Sequence, residues 1–458
     1  MTRTVELPLW ILVLLVAFAA VTFASHFLFP SVRWFFRRRL EKAVARLNDR
    51  LERPIEPFRL VRRFDMIQRL IYDPGVSRAV AEHAKAENIP ENVAFEKASR
   101  YAREIVPSFS ATLYFGFAIR AARFLSNALY RVEVDYLDEG AVHGIDKDAT
   151  VVFVMNHRSN MDYVLVTHLA AERSALSYAV GEWANVWPLN RLIRAMGAYF
   201  IRRRSLNDLY RGVLARYVVL ATSGNVTQAM FPEGGLSVDG ALRQPKLGLL
   251  KYLVMAHEES ARDIVFVPVG INYDRVLEDR ILIASRHHPK GRFNASIGVI
   301  AGFALKLFWL WITRRYHPFG SAVVRYGKPL SLRDFGAQSP ARRDASAFTE
   351  DLGDELMTRI GDAVAPLPVP LVAAVMRDGI ARNRSEIQQE TAQLLSQTGL
   401  EDRAEAMVDE ALALFERRRI LSRKDDAWHC PPDQIEVCEY YMRSVEHILN
   451  LTNSAIAK

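Results

Sequence analysis

Val151-Val152-Phe153-Val154-Met155 runs directly into Asn156-His157-Arg158-Ser159-Asn160-Met161-Asp162. A short unbroken apolar run with three valines reads as a buried strand, and the polar run marks its end. Similar runs recur downstream as Ala198-Tyr199-Phe200-Ile201, Val226 to Phe231, Ile264 to Val269 and Ala322 to Tyr326. Helix-like stretches, Asp208 to Ser223 and Leu247 to His257, lie between them. Short strands alternating with helices predict an α/β core, a mainly parallel sheet flanked by helices. In such sheets ligands bind where the strands end. His157 stands at one of those ends.

This core is expected over residues 138–335. Residues 32–137 read as a helical region, interrupted near Pro107, and residues 336–458 as a helical C-terminal region broken at Pro366, Pro368 and Pro370. Residues 1–31 read as one N-terminal transmembrane helix. Leu7 to Phe29 contains no charged residue apart from His26, and at about 1.5 Å per residue it matches the hydrocarbon thickness of a bilayer. Arg33, Arg37, Arg38, Arg39 and Lys42 follow it, against Arg3 before it. That asymmetry predicts a single pass with the C-terminal body on the cytoplasmic side and the short N-terminus outside. Ala301 to Thr313 is apolar but too short to span. It fits a buried helix and an interfacial segment equally.

Composition narrows the function. Hydrophobic residues make up 50% of the 458 and charged residues 24%, a globular balance that excludes wholesale disorder. Two cysteines, Cys430 and Cys438, cannot supply a disulfide framework. No His/Cys run reads as a metal site. The net charge of +8 favours phosphate-bearing partners, and without a basic, aromatic-laced tail nucleic acid is not among them.

The chemistry is read from four blocks at strand ends. Asp162 follows His157 by five residues, which on one helix would set the two about 140° apart. If the chain turns between them, the carboxylate folds back on the imidazole and orients it as a general base toward a hydroxyl. Gly197-Ala198-Tyr199-Phe200-Ile201-Arg202-Arg203-Arg204 places forked cationic donors at a second strand end. Met230-Phe231-Pro232-Glu233-Gly234-Gly235-Leu236-Ser237 places a carboxylate and a glycine pair, suited to a tight turn, at a third. Val267-Pro268-Val269-Gly270 is expected to end a fourth.

Together, and in this order, the blocks resemble those of the glycerol-3-phosphate acyltransferases, within the glycerolipid acyltransferase superfamily that carries His and Asp with four residues between them. His157 and Asp162, Gly197 to Arg203, Glu233-Gly234-Gly235 with Ser237, and Val267-Pro268-Val269 match the family's four motifs. Similarity extends through Trp187-Pro188 and Asn272-Tyr273-Asp274-Arg275-Val276. Three positions depart: Tyr199 stands where the second motif has Phe, and Leu236 and Val238 stand where the family commonly has Arg after the glycines and two positions later. The resemblance implies a membrane enzyme that acylates the sn-1 hydroxyl of glycerol 3-phosphate from acyl-CoA or acyl-carrier protein, giving lysophosphatidate. His157 and Asp162 would be catalytic. Arg202 and Arg203 would bind the acceptor's phosphate, with Glu233, Gly234, Gly235, Ser237 and Pro268 also lining the substrate site. No metal and no cofactor is implied, and membrane lipids are the remaining partners. Lysophosphatidate, another lysophospholipid or dihydroxyacetone phosphate are the alternative acceptors, and a non-catalytic lipid-binding scaffold is the alternative class.

Overall fold

The structure is a computed structural model. It describes residues 51–56, 63–170, 175–181, 189–202, 207–260, 262–287, 318–396 and 398–449, with isolated positions elsewhere. The expected transmembrane segment and most of Ala301 to Thr313 lie outside these residues. Among the described residues no single helix is long and apolar enough to cross a membrane. The chain divides into two compact units, 1–55 with 172–174, and the remainder. In the first, Trp10 and Val13 to Val16 are helical and exposed.

The second unit is built on an eight-stranded sheet. Its strands are β1 (Arg131–Tyr136), β2 (Thr150–Met155), β3 (Ser177–Gly181), β4 (Tyr199–Ile201), β5 (Gln228–Met230), β6 (Ile264–Tyr273), β7 (Ser321–Tyr326) and β8 (Leu330–Ser331). The order is β1-β7-β6-β2-β5-β3-β4, with β8 beside β6. β6, β2, β5, β3 and β4 run parallel, and β7 and β8 run antiparallel to β6. Every residue of β2 and β6 is buried, which is why both read as continuous apolar runs rather than alternating ones. The C-terminal ends of β2, β5, β3 and β4 therefore share one edge of the sheet. The mainly parallel α/β core expected from the sequence is present.

Three differences from the sequence reading have physical causes. β1 falls in the stretch read as helical. It is an edge strand paired only with β7, largely exposed, so it lacks the unbroken apolar run of the central strands. β6 does not end at Pro268 but continues to Tyr273, with Pro268 opposite Val154 in the parallel ladder. The C-terminal region, besides its helices, holds a small sheet of Arg382–Asn383, Ser422–Lys424 and Ala427–His429.

Five helices matter for the site: α1 (Glu91–Ile105), α2 (Met161–Ala170), α3 (Asp208–Ser223), α4 (Gly248–Glu259) and, near the C-terminus, α5 (Ile435–Met442). The helix Pro368–Met376, begun by a proline where a missing N–H is harmless, is buried throughout. Asn272 to Asp274, at the end of β6, fasten this C-terminal region to the sheet. Asn272 Nδ2 donates to Ala365 O at 2.9 Å, and Asp274 accepts from Ser321 N at 2.8 Å and Val369 N at 3.0 Å. Cys430 and Cys438 are buried free thiols 3.3 Å apart.

Candidate active site

Strand β2 ends at Met155, and the chain turns before α2 begins at Met161. Asn156 continues the ladder with its side chain: Nδ2 donates to Ile271 O at 2.9 Å, and Oδ1 accepts from Ile271 N at 2.8 Å. The turn brings Asp162, in the first turn of α2, back onto His157. Nδ1 of the imidazole lies 2.8 Å from Asp162 Oδ2. The same oxygen accepts from Arg158 N at 2.8 Å and Ser159 N at 3.0 Å, and Oδ1 accepts from the Tyr273 hydroxyl at 2.6 Å. Both residues are buried. These donors offset the cost of burying the carboxylate, and together they fix its direction.

The turn is pinned from its far side. Glu278 accepts from Ser159 Oγ at 2.7 Å and from Asn160 N and Nδ2 at 2.8 Å each. Burial raises the pKa of this carboxyl. Arg158 is also buried, with its guanidinium bonded to Gly240 O and lying 5.3 Å from the Tyr440 ring of α5. The imidazole stacks on Phe231, centroids 4.0 Å apart, and meets the edge of Tyr163 at 5.4 Å. Its other ring nitrogen, Nε2, is left for chemistry.

Glu233 follows β5 and sits beside the pair. Its Oε1 accepts from His157 N at 3.0 Å, while Oε2 has no hydrogen-bond partner among the described residues. Burial pushes the carboxyl up to about 8, against the His157 N–H and the positive charges of Arg158 and Arg243, which pull it down. A carboxyl raised in the folded chain favours folding fully below its ordinary value and loses that contribution as pH rises through about 8. Glu233→Gln, which stays neutral, should therefore gain on the wild type as pH rises. Thermal melts should show near-equality at pH 5 and an advantage on the order of a few kcal/mol above pH 8. A pH-independent difference would contradict this assignment.

A cavity of about 310 Å3 opens at this edge of the sheet, with His157, Tyr163, Phe231, Gly234, Arg202 and Lys246 among its walls. The expected site residues divide on its geometry. His157, Arg202 and Gly234 line it; Asp162 and Glu233 stand behind His157. Gly234 has φ of +69°, a left-handed conformation that favours glycine, and its N–H donates to Phe231 O at 3.0 Å. Gly235 follows in the same turn without lining the cavity. Ser237 organises the loop instead: its N–H donates to His157 O at 2.9 Å, and its hydroxyl donates to Ala241 O at 2.7 Å. Pro268 lies inside the sheet, accepting from Gly327 N at 2.8 Å, and does not reach the cavity. Arg203 lies outside the described residues. Arg202 is committed elsewhere, donating to both Glu104 oxygens of α1 at 2.8 and 2.6 Å between the rings of Tyr101 and Tyr210.

Tyr273 is the participant that motif reading left without a role. Its stretch stood out as similar, but the contact with Asp162 spans 111 residues of sequence. Tyr273→Phe should lower kcat about tenfold with KM for both substrates little changed, since one hydrogen bond to a charged group is lost behind the reacting centre. Steady-state kinetics check it. A rise in KM alone would place Tyr273 in substrate binding instead.

Residues 140–272 match the family model described as Acyltransferase, and residues 306–451 match that described as Glycerol-3-phosphate acyltransferase C-terminal region. A curated glycerol-3-phosphate acyltransferase of Pseudomonas putida (strain GB-1) is 30% identical over 332 residues, 69% of this chain and 38% of its own length. That of Xanthomonas axonopodis pv. citri is 30% identical over 335 residues, 68% of this chain and 36% of its own. The chain thus spans little more than a third of the length of these curated relatives. Among solved structures, the 1-acyl-sn-glycerophosphate (LPA) acyltransferase of Thermotoga maritima aligns at 21% identity and a TM-score of 0.30, covering 54% of this chain and 79% of that one. Matched in succession, the two models show that the chain carries an acyltransferase domain followed by the C-terminal region of the glycerol-3-phosphate acyltransferases.

Proposed function

We propose that this chain transfers a fatty acyl group from acyl-CoA or acyl-carrier protein to the sn-1 hydroxyl of glycerol 3-phosphate, giving lysophosphatidate. The observation that carries the reading is the buried His157–Asp162 pair on the wall of a cavity at the strand-end edge. Asp162 holds Nδ1, so Nε2 takes the proton as the acceptor hydroxyl attacks the thioester carbonyl. The tetrahedral intermediate then collapses, the thiolate leaves, and the imidazolium returns the proton to it. The relatives' names support the acceptor. No acyl-enzyme, metal or cofactor enters this scheme. The Gly234 N–H is already bonded to Phe231 O, so it is not free to serve as an oxyanion donor.

A second cavity of about 270 Å3 shares Tyr163 and Val180 with the first and is otherwise almost wholly apolar, with Phe117, Leu125, Val164 and Met196 among its walls. In this reading it takes the acyl chain, placing the thioester beside His157. The same reading keeps the catalytic body at the cytoplasmic face of the inner membrane, held by Leu7 to Phe29.

Purified, detergent-solubilised protein given glycerol 3-phosphate and palmitoyl-CoA should release one CoA for each lysophosphatidate, acylated at sn-1. Product only from dihydroxyacetone phosphate or a lysophospholipid would change the acceptor, and transfer to none of them would favour the scaffold.

A further inference from the structure

The acceptor carries a phosphomonoester, a dianion that needs a cation inside the cavity. The resemblance gives the phosphate to Arg202 and Arg203, and the family's further arginines, in the loop after β5, fall at the positions held here by Leu236 and Val238. Both side chains instead pack against the hydrophobic core. The loop therefore turns these positions toward apolar neighbours, and the cavity must draw its positive charge from elsewhere.

Among the described residues three cations line the cavity: Arg202, Arg211 and Lys246. Arg202 is neutralised by the two-pronged pair with Glu104. Arg211 is paired with Asp208 at 3.1 Å on the exposed side of α3. Lys246 has no acidic partner among the described residues. Its position is tightly set: the backbone N–H donates to Pro232 O at 2.8 Å, and the stem lies across Gly234. A Cβ on Gly234 would sit 2.6 Å from Lys246 Cδ. The glycine that permits the turn thus also leaves room for the lysine to cross it.

Resting on the acyl-transfer reading above, we infer that Lys246 binds the acceptor's phosphomonoester and holds its hydroxyl toward His157. Its ammonium offers three donors on a flexible stem, and it lines the same cavity as His157. The chain thereby replaces the arginines missing at 236 and 238 with a cation from the far side of the glycine turn.

The test uses the full-length, solubilised chain with palmitoyl-CoA, offering glycerol 3-phosphate in one arm and lysophosphatidate in the other. Lys246→Met should raise KM for the phosphorylated acceptor about thirtyfold or more, leaving kcat within about threefold and the thermal midpoint unchanged. Lys246→Arg, which keeps the charge, should recover most of that loss. If wild type acylates glycerol 3-phosphate and Lys246→Met leaves its KM within about twofold, Lys246 is not the phosphate ligand and the proposed function stands. If wild type turns over only lysophosphatidate and the methionine variant raises that KM, the phosphate site holds and the acceptor reading falls. If wild type acylates neither, both fall.

Discussion

His157→Ala should reduce acyl transfer by about a thousandfold or more while the protein still folds. The expectation follows from what the imidazole does and does not hold together. General-base assistance contributes about 10²–10⁴ in rate, and His157 is the titratable group on the cavity wall that Asp162 orients for that task. The links that the backbone makes around it survive the substitution: Glu233 accepts from His157 N, and Ser237 N donates to His157 O. What is lost structurally is the bond to Asp162, the stack on Phe231 and the edge contact with Tyr163, so stability should fall by about 1–3 kcal/mol. His157→Gln fills more of the same space and should be equally inactive. Initial rates beside thermal melts separate the two effects. An active His157→Ala would remove the base from the mechanism.

Asp162→Asn should be nearly as damaging, for a different reason. The asparagine is almost the same shape, and its oxygen can take the place of Oδ2, still accepting from Arg158 N, Ser159 N and His157 Nδ1. The amide would then face Tyr273, whose hydroxyl can turn to accept. Geometry is kept and the negative charge is gone, so the imidazolium formed during attack loses its stabilising partner. Turnover should fall by about 10²–10⁴ with a small change in melting temperature. Asp162→Ala, by contrast, strands three buried donors besides the imidazole and should destabilise by about 1–3 kcal/mol for each. Equal melting losses in the two variants would show that the carboxylate is needed for folding rather than for its charge.

The sequence made legible what is local. β2 and the first part of β6 read correctly because burial on both faces writes itself as unbroken apolar runs, and the return of Asp162 to His157 follows once a strand gives way to a helix. β1 and β3 did not read. β1 is an exposed edge, and β3 is a short Ser-Tyr-Ala-Val-Gly segment without a longer apolar run. Pro268 misled because a proline near the end of an apolar run suggests an end, whereas β6 continues through it. At the site, the residues inside the motifs, Glu233 among them, were visible, and the partners that folding brings to them from elsewhere were not. Tyr273 and Glu278 reach the turn from beyond the end of another motif. The commitment of Arg202 to Glu104 joins residues 98 apart, so no motif spacing shows it. Lys246 becomes notable only once Gly234 lies beneath its stem.

The most direct test of the account is the ratio of kcat/KM for glycerol 3-phosphate and lysophosphatidate, measured on the same purified protein with palmitoyl-CoA and repeated with His157→Ala. The account predicts that glycerol 3-phosphate is strongly preferred, with sn-1 lysophosphatidate as product, and that the alanine variant loses this activity. Preference for lysophosphatidate, or turnover that survives the loss of His157, would contradict it.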